Sequence, residues 1–286
     1  MLSYANGKFV PTDELTLPVE KDLIGTFRGF RIFTACRTLP NGKIFRLEDH
    51  IDRLFSCAEA IHMELPHDKN QLKEIVQEAI AKNNKEKGEL LLEIMYSGGK
   101  ADSSGIKPTG ETILYILVLP LKLPPEEWYQ QGIKLASFPY QRQWPEVKFL
   151  NYVGAVIAHQ TVVKEYKADE ALFISPDEKN IILEGTTFSF FTIKKGVVFT
   201  HALDGKILPG ITRKVVLELA HKEGIEIKET DFSLNELAGM DEAFIASSTR
   251  NIVSVTKVND IIIGNGKPGE ITLKLAEIFK EYQINY

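Results

Sequence analysis

Cysteine is scarce in this chain: Cys36 and Cys57 are its only two, with no CxxC and no cluster. Such usage supports neither a disulfide framework nor a structural zinc site, so no metal is expected. Positive charge is not in excess either, since 34 Lys and Arg stand against 39 Asp and Glu for a net charge of −5. Without a basic surplus to neutralise phosphates, nucleic acid is not expected as the main partner, although a local cationic site for a small anion stays open. No stretch is apolar for long enough to span a bilayer, and the opening MLSYANGKFVPTDE has no apolar signal core. A reducing cytoplasm with no membrane partner is the expected setting. Internal repeats, low-complexity tracts and long charge runs are missing. So are H-E-x-x-H, G-x-S-x-G and a Walker loop, which leaves metalloprotease, hydrolase and nucleotide-triphosphatase readings without support. GNGKPG at 264–269 matches G-x-G-x-x-G, but no second strand follows and Pro268 removes an amide near the helix start. It reads as a strand-to-helix turn.

What is present belongs to a soluble globular protein: 286 residues, 44% hydrophobic and 26% charged. That length exceeds one comfortable core and predicts two domains. Strands are expected at Lys8–Val10, Arg31–Cys36, 90–97 and 112–120, with a glycine-bearing loop joining the last two. Helices are expected over about Leu47–Met63, where Ile51, Leu54, Phe55, Ala58 and Ile61 keep helical spacing, and over a second stretch ending near Asn84. LPLKLPPEEW at 119–128 breaks the pattern, because three prolines in seven residues continue neither a helix nor a central strand. The expected organisation is a small N-terminal α/β domain over 1–120, a linker over 121–130 and a larger C-terminal domain over 131–286. In that second part strands are expected at 133–139, about 171–174, 188–193, 197–200 and 242–247. Helices are expected over 152–166, 211–222 and 270–283. Helices and strands interleave without regular βαβ alternation, so the class is α+β or mixed α/β.

Four stretches carry chemistry. In WPEVKFLNY, Lys148 is flanked by Val147, Phe149 and Leu150, expected on the buried side. A lysine among apolar groups loses solvation, so its free amine becomes available as nucleophile and base; alone, one lysine among many is a weak signal. In ILEGTTFSFF, Glu184 ends an apolar run, where a carboxylate needs a partner or opens a turn with Gly185. In LPGITRKVVLELAHKEG, Pro209 and Gly210 make a turn and a helix starts at about Ile211 or Thr212. Its unpaired amides at the positive end of the dipole suit a phosphate. Arg53 follows His50 by three residues at the edge of a buried helix face, either as a stem covering apolar surface or as a fork for phosphate.

The order of these features, Arg53, K-x-x-N-Y at Lys148–Tyr152, E-G at Glu184–Gly185, L-P-G-I-T-R at 208–213 and a Ser/Thr turn at Ser247–Thr249, resembles the class IV (fold-type IV) aminotransferases. That group holds the branched-chain and D-amino-acid aminotransferases and aminodeoxychorismate lyase, and the resemblance covers nearly the whole chain. It implies a two-domain fold-type IV enzyme with a barrel-like C-terminal domain that binds pyridoxal 5'-phosphate. It implies Lys148 as the Schiff-base lysine, Glu184 at the pyridine nitrogen and Tyr152 near the phenolic oxygen. Arg53, the amides of Ile211 and Thr212, and Ser248 would hold the phosphate. A homodimer is implied as well, as are an amino acid and a 2-oxo acid as substrates.

Three positions depart from the family's pattern. Ser189 stands where an Asn is usual, and Glu93 where many members have an arginine; a glutamate cannot receive a substrate carboxylate. Arg28 falls where some less typical D-amino-acid aminotransferases bind that carboxylate, and Arg250, beside Thr249 in the last turn, is a second candidate. Either arginine could equally be a structural ion-pair partner. The leading expectation is transamination between an α-amino acid and a 2-oxo acid. The alternatives are an aminodeoxychorismate lyase-like elimination on the same scaffold and a cofactor-free homologue.

Overall fold

A computed structural model describes residues 1–84 and 88–286. The chain divides into two compact units, one of residues 1–122 and 147–151, the other of residues 123–146 and 152–286.

The first unit begins with a hairpin of β1 (Leu2–Ala5) and β2 (Lys8–Pro11), turned by Asn6 and Gly7 with φ of 42° and 89°. Both turn residues are left-handed, the geometry of the two-residue hairpin that Asn-Gly favours. There follow α1 (Leu23–Arg28), β3 (Arg31–Arg37), α2 (Leu47–Ala60), α3 (Lys69–Lys82), β4 (Leu90–Ser97) and β5 (Ile113–Pro120). The strands form one sheet in the order β2-β1-β5-β4-β3. Alternation sends Ile32, Leu92, Ile94, Leu114 and Ile116 into a core with Ile51, Leu54, Leu72 and Val76 of α2 and α3. The Asp68 and Gln71 capping box starts α3.

Asp22 closes one end of this sheet. Fully buried, it accepts from Arg31 at 2.7 Å, from the Ser97 hydroxyl at 2.6 Å and from the Gly99 amide at 3.0 Å. Gly25 of α1 approaches so closely that a Cβ there would stand 1.9 Å from Ser97 Oγ.

The second unit contains α4 (Glu126–Gln131), β6 (Ile133–Pro139), α5 (Val153–Gln160), α6 (Val162–Tyr166), β7 (Glu170–Ile174), β8 (Ile182–Gly185), β9 (Ser189–Lys194), β10 (Val197–Thr200), α7 (Ile211–Lys222), β11 (Ile227–Glu229), β12 (Glu242–Ser247), β13 (Asn251–Val258), β14 (Ile261–Ile262) and α8 (Glu270–Ile284). Its sheet runs β11-β10-β9-β12-β13-β6-β7-β8, with β14 on β13. Five strand spacings separate β8 from β9 along this order, about 24 Å in a flat sheet. Yet only residues 186–188 connect them, a reach of about 15 Å at most. The sheet therefore curls, and the barrel-like C-terminal fold follows from that short connection.

One expectation on local structure is corrected. The helix expected over 152–166 is two helices broken at Thr161, whose φ is −114° and ψ −97°. The Thr161 hydroxyl bonds back to the Ile157 carbonyl at 2.7 Å and a β-branched Val-Val pair follows, both unfavourable to a continuous helix. The stretch expected as a linker over 121–130 contains most of α4, which begins directly after Pro125, a favourable place for proline at a helix start. Among the described residues no helix is long and apolar enough to cross a membrane.

Asp22→Ala would leave Arg31 without its counter-charge and the glycine loop without its amide acceptor. A loss of about 3 kcal/mol is expected in denaturant unfolding; a change below about 1 kcal/mol would contradict the anchoring role.

Candidate active site

In the first unit the site is built on the free edge of β3. The Phe33 amide donates to the Lys148 carbonyl at 3.0 Å, the Leu150 amide donates to the Arg31 carbonyl at 2.9 Å, and Phe149 bridges Ile32. The Lys148 amide points to Cys57 Sγ at 3.3 Å. Alternation then separates the side chains. Val147 is in the core and Phe149 packs against it, so Lys148 projects to the opposite face of the sheet, its Nζ 4.5 Å from the centre of the Phe33 ring. Leu150, expected on the buried side, is 38% exposed, because it lies on the same side of this edge strand as Lys148 and beyond the core.

Arg53, one turn before Cys57 on α2, donates from NH2 to Thr34 Oγ1 at 2.8 Å. Thr34 also meets His50 Nδ1 at 2.7 Å. A hydroxyl accepting from a guanidinium has its own proton to give, so Nδ1 accepts it and the ring proton sits on Nε2. Burial, then the charges of Arg53 and Lys148, hold the His50 pKa well below its usual 6.5. Burial likewise pushes the Cys36 thiol up to about 12. Glu93, on β4, is half-buried; burial raises its carboxyl and the Lys148 charge opposes that rise. Arg28 ends α1, exposed, its Nε donating to the Gly105 carbonyl at 2.9 Å.

In the second unit Glu184 closes β8 and is 7% exposed. The partner that a buried carboxylate requires is Arg142, whose Nε and NH2 donate to Oε1 at 2.8 and 2.7 Å. The Leu208 amide donates to Oε2 at 3.2 Å. Leu208 thus ties this carboxylate to the turn before α7. Gly210 is the N-cap of α7 with no side chain capping it, and Ile211 and Thr212 are buried. A Cβ on Gly210 would stand 2.8 Å from Ser189 Oγ, so a larger residue there would have to displace that hydroxyl or push the helix end from β9. Ser189 is in turn opposite Ala246, beside the Ser247–Thr249 turn. Among the described residues, buried Ser247 Oγ has no hydrogen-bond partner.

Arg250 follows that turn and pairs with buried Glu170, donates to Thr187 Oγ1 at 2.5 Å and lies 5.9 Å from the Phe188 ring centre. Glu170 also accepts from Thr186 at 2.9 Å and meets His159 Nε2 at 3.0 Å. An open cleft of about 330 Å³ lies between the α5 side, with Tyr152, Val156 and His159, and Thr186, Thr187 and Arg250.

Within one unit, then, Lys148 and Arg53 stand along β3 and Glu93 lies across that strand on β4; within the other, Glu184, Ile211, Thr212 and the serine turn converge on the start of α7. The description "Amino-transferase class IV" matches residues 31–258. A putative branched-chain-amino-acid aminotransferase of Methanocaldococcus jannaschii is 33% identical over 100% of this chain and 98% of its own. The chain belongs to the class IV aminotransferases. A D-alanine aminotransferase of Listeria monocytogenes is 30% identical over 96% of this chain and 94% of its own. Among solved structures, a T.th. branched-chain amino acid aminotransferase with pyridoxamine 5'-phosphate is 26% identical with a TM-score of 0.86, covering 99% of this chain and 94% of that one. The Escherichia coli branched-chain enzyme shares the fold at a TM-score of 0.88, with 98% and 93% coverage and 24% identity.

Class IV aminotransferases use pyridoxal 5'-phosphate to move an amino group between an α-amino acid and a 2-oxo acid. The residues of this aminotransferase fit that cofactor. The uncapped start of α7, the glycine a Cβ would spoil and the unpartnered Ser247 hydroxyl together suit a phosphate. Arg142, Thr34, Ser247 and Glu170 do not emerge from the sequence. Arg142 precedes the lysine in an irregular segment without periodicity, and Thr34 looks like any β-branched strand residue. For Ser247, the turn is visible but not which hydroxyl lacks a partner.

A histidine with a depressed native pKa binds fewer protons folded than unfolded, so its contribution is intact above about 6.5 and is lost as pH falls below that value. His50→Gln, which retains an acceptor for Thr34, is expected to flatten the fall in thermal stability below pH 6.5, a slope of at most about 1.4 kcal/mol per pH unit from this group. An unchanged slope would show that His50 is not held neutral.

Proposed function

We propose that this aminotransferase attaches its cofactor through Lys148 and uses the same amine to move the substrate's Cα proton. The observation that carries this reading is the placement of Lys148: backbone bonds to β3 fix the residue while its Nζ stands over the Phe33 ring. The ring face holds the Lys148 amine at a defined place on this side of the sheet, where a positioned amine can take and return a proton. Glu184, its carboxylate oriented by Arg142 and the Leu208 amide, would accept a hydrogen bond from the protonated pyridine nitrogen. Bound in this way, pyridoxal phosphate supplies an electron sink for the Cα–H bond. Arg53, the amides of Ile211 and Thr212 and the Ser248 hydroxyl hold the phosphate, joined by Ser247 with its unpartnered oxygen. Tyr152 would serve the phenolic oxygen.

The donor is an α-amino acid and the acceptor a 2-oxo acid, in the manner of the branched-chain and D-amino-acid enzymes the chain resembles. Arg28 and Thr249 receive the substrate carboxylate. Arg250 is an equal candidate by sequence, but its bond to Glu170 supports the structural role. We further propose a homodimer in a reducing cytoplasm. Val153, Val156 and Ile157 leave an apolar face of α5 exposed, which a second copy would cover, and two buried thiols suit a reducing setting. The small domain, linker and larger cofactor-binding domain of this reading run over 1–120, 121–130 and 131–286.

Protein saturated with pyridoxal phosphate is expected to show a visible absorption band that Lys148→Ala abolishes; a wild type without the band would overturn the reading. Arg28→Ala is expected to raise KM for the amino donor by about tenfold to a hundredfold, as losing a charged hydrogen bond does, with cofactor affinity changed far less. Equal losses of both would remove Arg28 from substrate binding.

A further inference from the structure

The sheet face that carries Lys148 holds a second charged group that the proposed chemistry does not use. Leu92, Ile94 and Tyr96 of β4 lie in the core, so Glu93 and Met95 point to the other face, where Phe33 and Lys148 are. Across the strands, Glu93 is opposite Ala35 and Met95 opposite Phe33, which makes Glu93 the diagonal neighbour of the ring under the lysine. The other charged groups on this face of β3 are paired. Arg31 is bound by Asp22 at 2.7 Å and Arg37 by Glu89 at 2.5 Å. Among the described residues the Glu93 carboxylate has neither a hydrogen bond nor an ion pair, and the one charge that acts on it is that of Lys148. Half-buried without a counter-charge, its carboxyl is pushed up, a cost that a cation brought beside it would relieve.

We propose that Glu93 reads the side chain of the amino donor and selects one that ends in a cation, an ammonium or a guanidinium. The inference rests on the reading of Lys148 given above, since a lysine joined to the cofactor is no longer available as the partner of Glu93. With Arg31 and Arg37 committed, this face of β3 offers, among the described residues, no uncommitted arginine to an acidic side chain, and Glu93 repels one. A side chain with several N–H donors would meet a carboxylate that lacks them. Discrimination then comes from both signs at once, attraction of the cation and rejection of the anion.

The test uses the cofactor-loaded protein and single half-reactions, followed by loss of the visible band, with both enantiomers of ornithine, lysine, arginine and glutamate. The best cationic donor is expected to exceed glutamate of the same hand in kcat/KM by at least about tenfold, a preference worth roughly 1.4 kcal/mol. Glu93→Gln should cut that ratio at least tenfold, and Glu93→Arg should invert it, tenfold being about one charge contact. Calorimetric binding of α-methylornithine against α-methylglutamate, neither of which has a Cα proton to lose, should show the same order without turnover. A wild type that favours glutamate, or a ratio that neither variant moves, overturns the role of Glu93 while the visible band leaves Lys148 in place. Absence of the band overturns the reading of Lys148 and this inference with it.

Discussion

Pairing of residues 148–150 with the edge of β3 is the constraint on which the lysine's position depends. An edge strand leaves amides and carbonyls open, and here they are satisfied by a short segment from far along the chain. Strand alternation then does the sorting, sending Val147 and Phe149 to the core and Lys148 to the reverse face. A shift of one residue would bury the ammonium among leucines and expose the two apolar side chains. The register is therefore held by apolar burial on one face, and the chemistry on the other face inherits it. Cys57 and Arg53, one turn apart on α2, stand along the same edge, so the helix that fills the core also sets a guanidinium beside the segment.

In the second unit the corresponding constraint is the carboxylate of Glu184. A buried carboxylate is costly alone, and two donors from separate segments answer it, Arg142 before the lysine and the Leu208 amide before α7. The bond to Leu208 connects the acid to the turn whose glycine lets α7 approach Ser189. Arg213, the last residue of L-P-G-I-T-R, belongs to the same fixing of that helix: it donates to the His201 carbonyl at 2.8 Å and to Glu229 at 2.6 Å. The motif therefore combines a start of helix with uncapped amides and an arginine that holds the helix against β10 and β11.

Much of this is legible in the sequence where periodicity is strong. The strands at 90–97, 133–139 and 242–247 and the helix at 211–222 have the ends that the pattern predicts. Asn6–Gly7 is a clear hairpin signal, yet β1 is too short to show alternation and is not expected from it. The break at Thr161 is hidden because the apolar spacing continues through the interruption; what breaks the helix is a hydroxyl bonding to its own backbone. Candidate residues are visible in their order along the chain, but their partners are not. Glu184 is recognisable as a carboxylate in need of a counter-charge, and nothing in the sequence points to Arg142 forty-two residues earlier. Arg250 shows the converse: a guanidinium beside a phosphate turn reads equally as a receptor or as an ion-pair partner, and the sequence does not point to Glu170, which lies against it.

The features that carry the family and those that depart from it differ in what holds them. Lys148 is placed by backbone bonds, and the start of α7 offers backbone amides; both survive extensive change of side chains, provided glycine remains at 210. That is how a chain 26% identical to a solved relative keeps a TM-score of 0.86 with it. Glu93 needs no such backbone geometry. It occupies an ordinary position in a regular strand, where one side chain replaces another without disturbing the ladder between β3, β4 and β5. A charge can be reversed there at little cost to the fold, because alternation keeps it off the core face and the half-buried side chain is not packed on all sides. The scaffold thus separates the atoms that must not move from the side chains free to change sign, and this chain's main departure falls on the second kind.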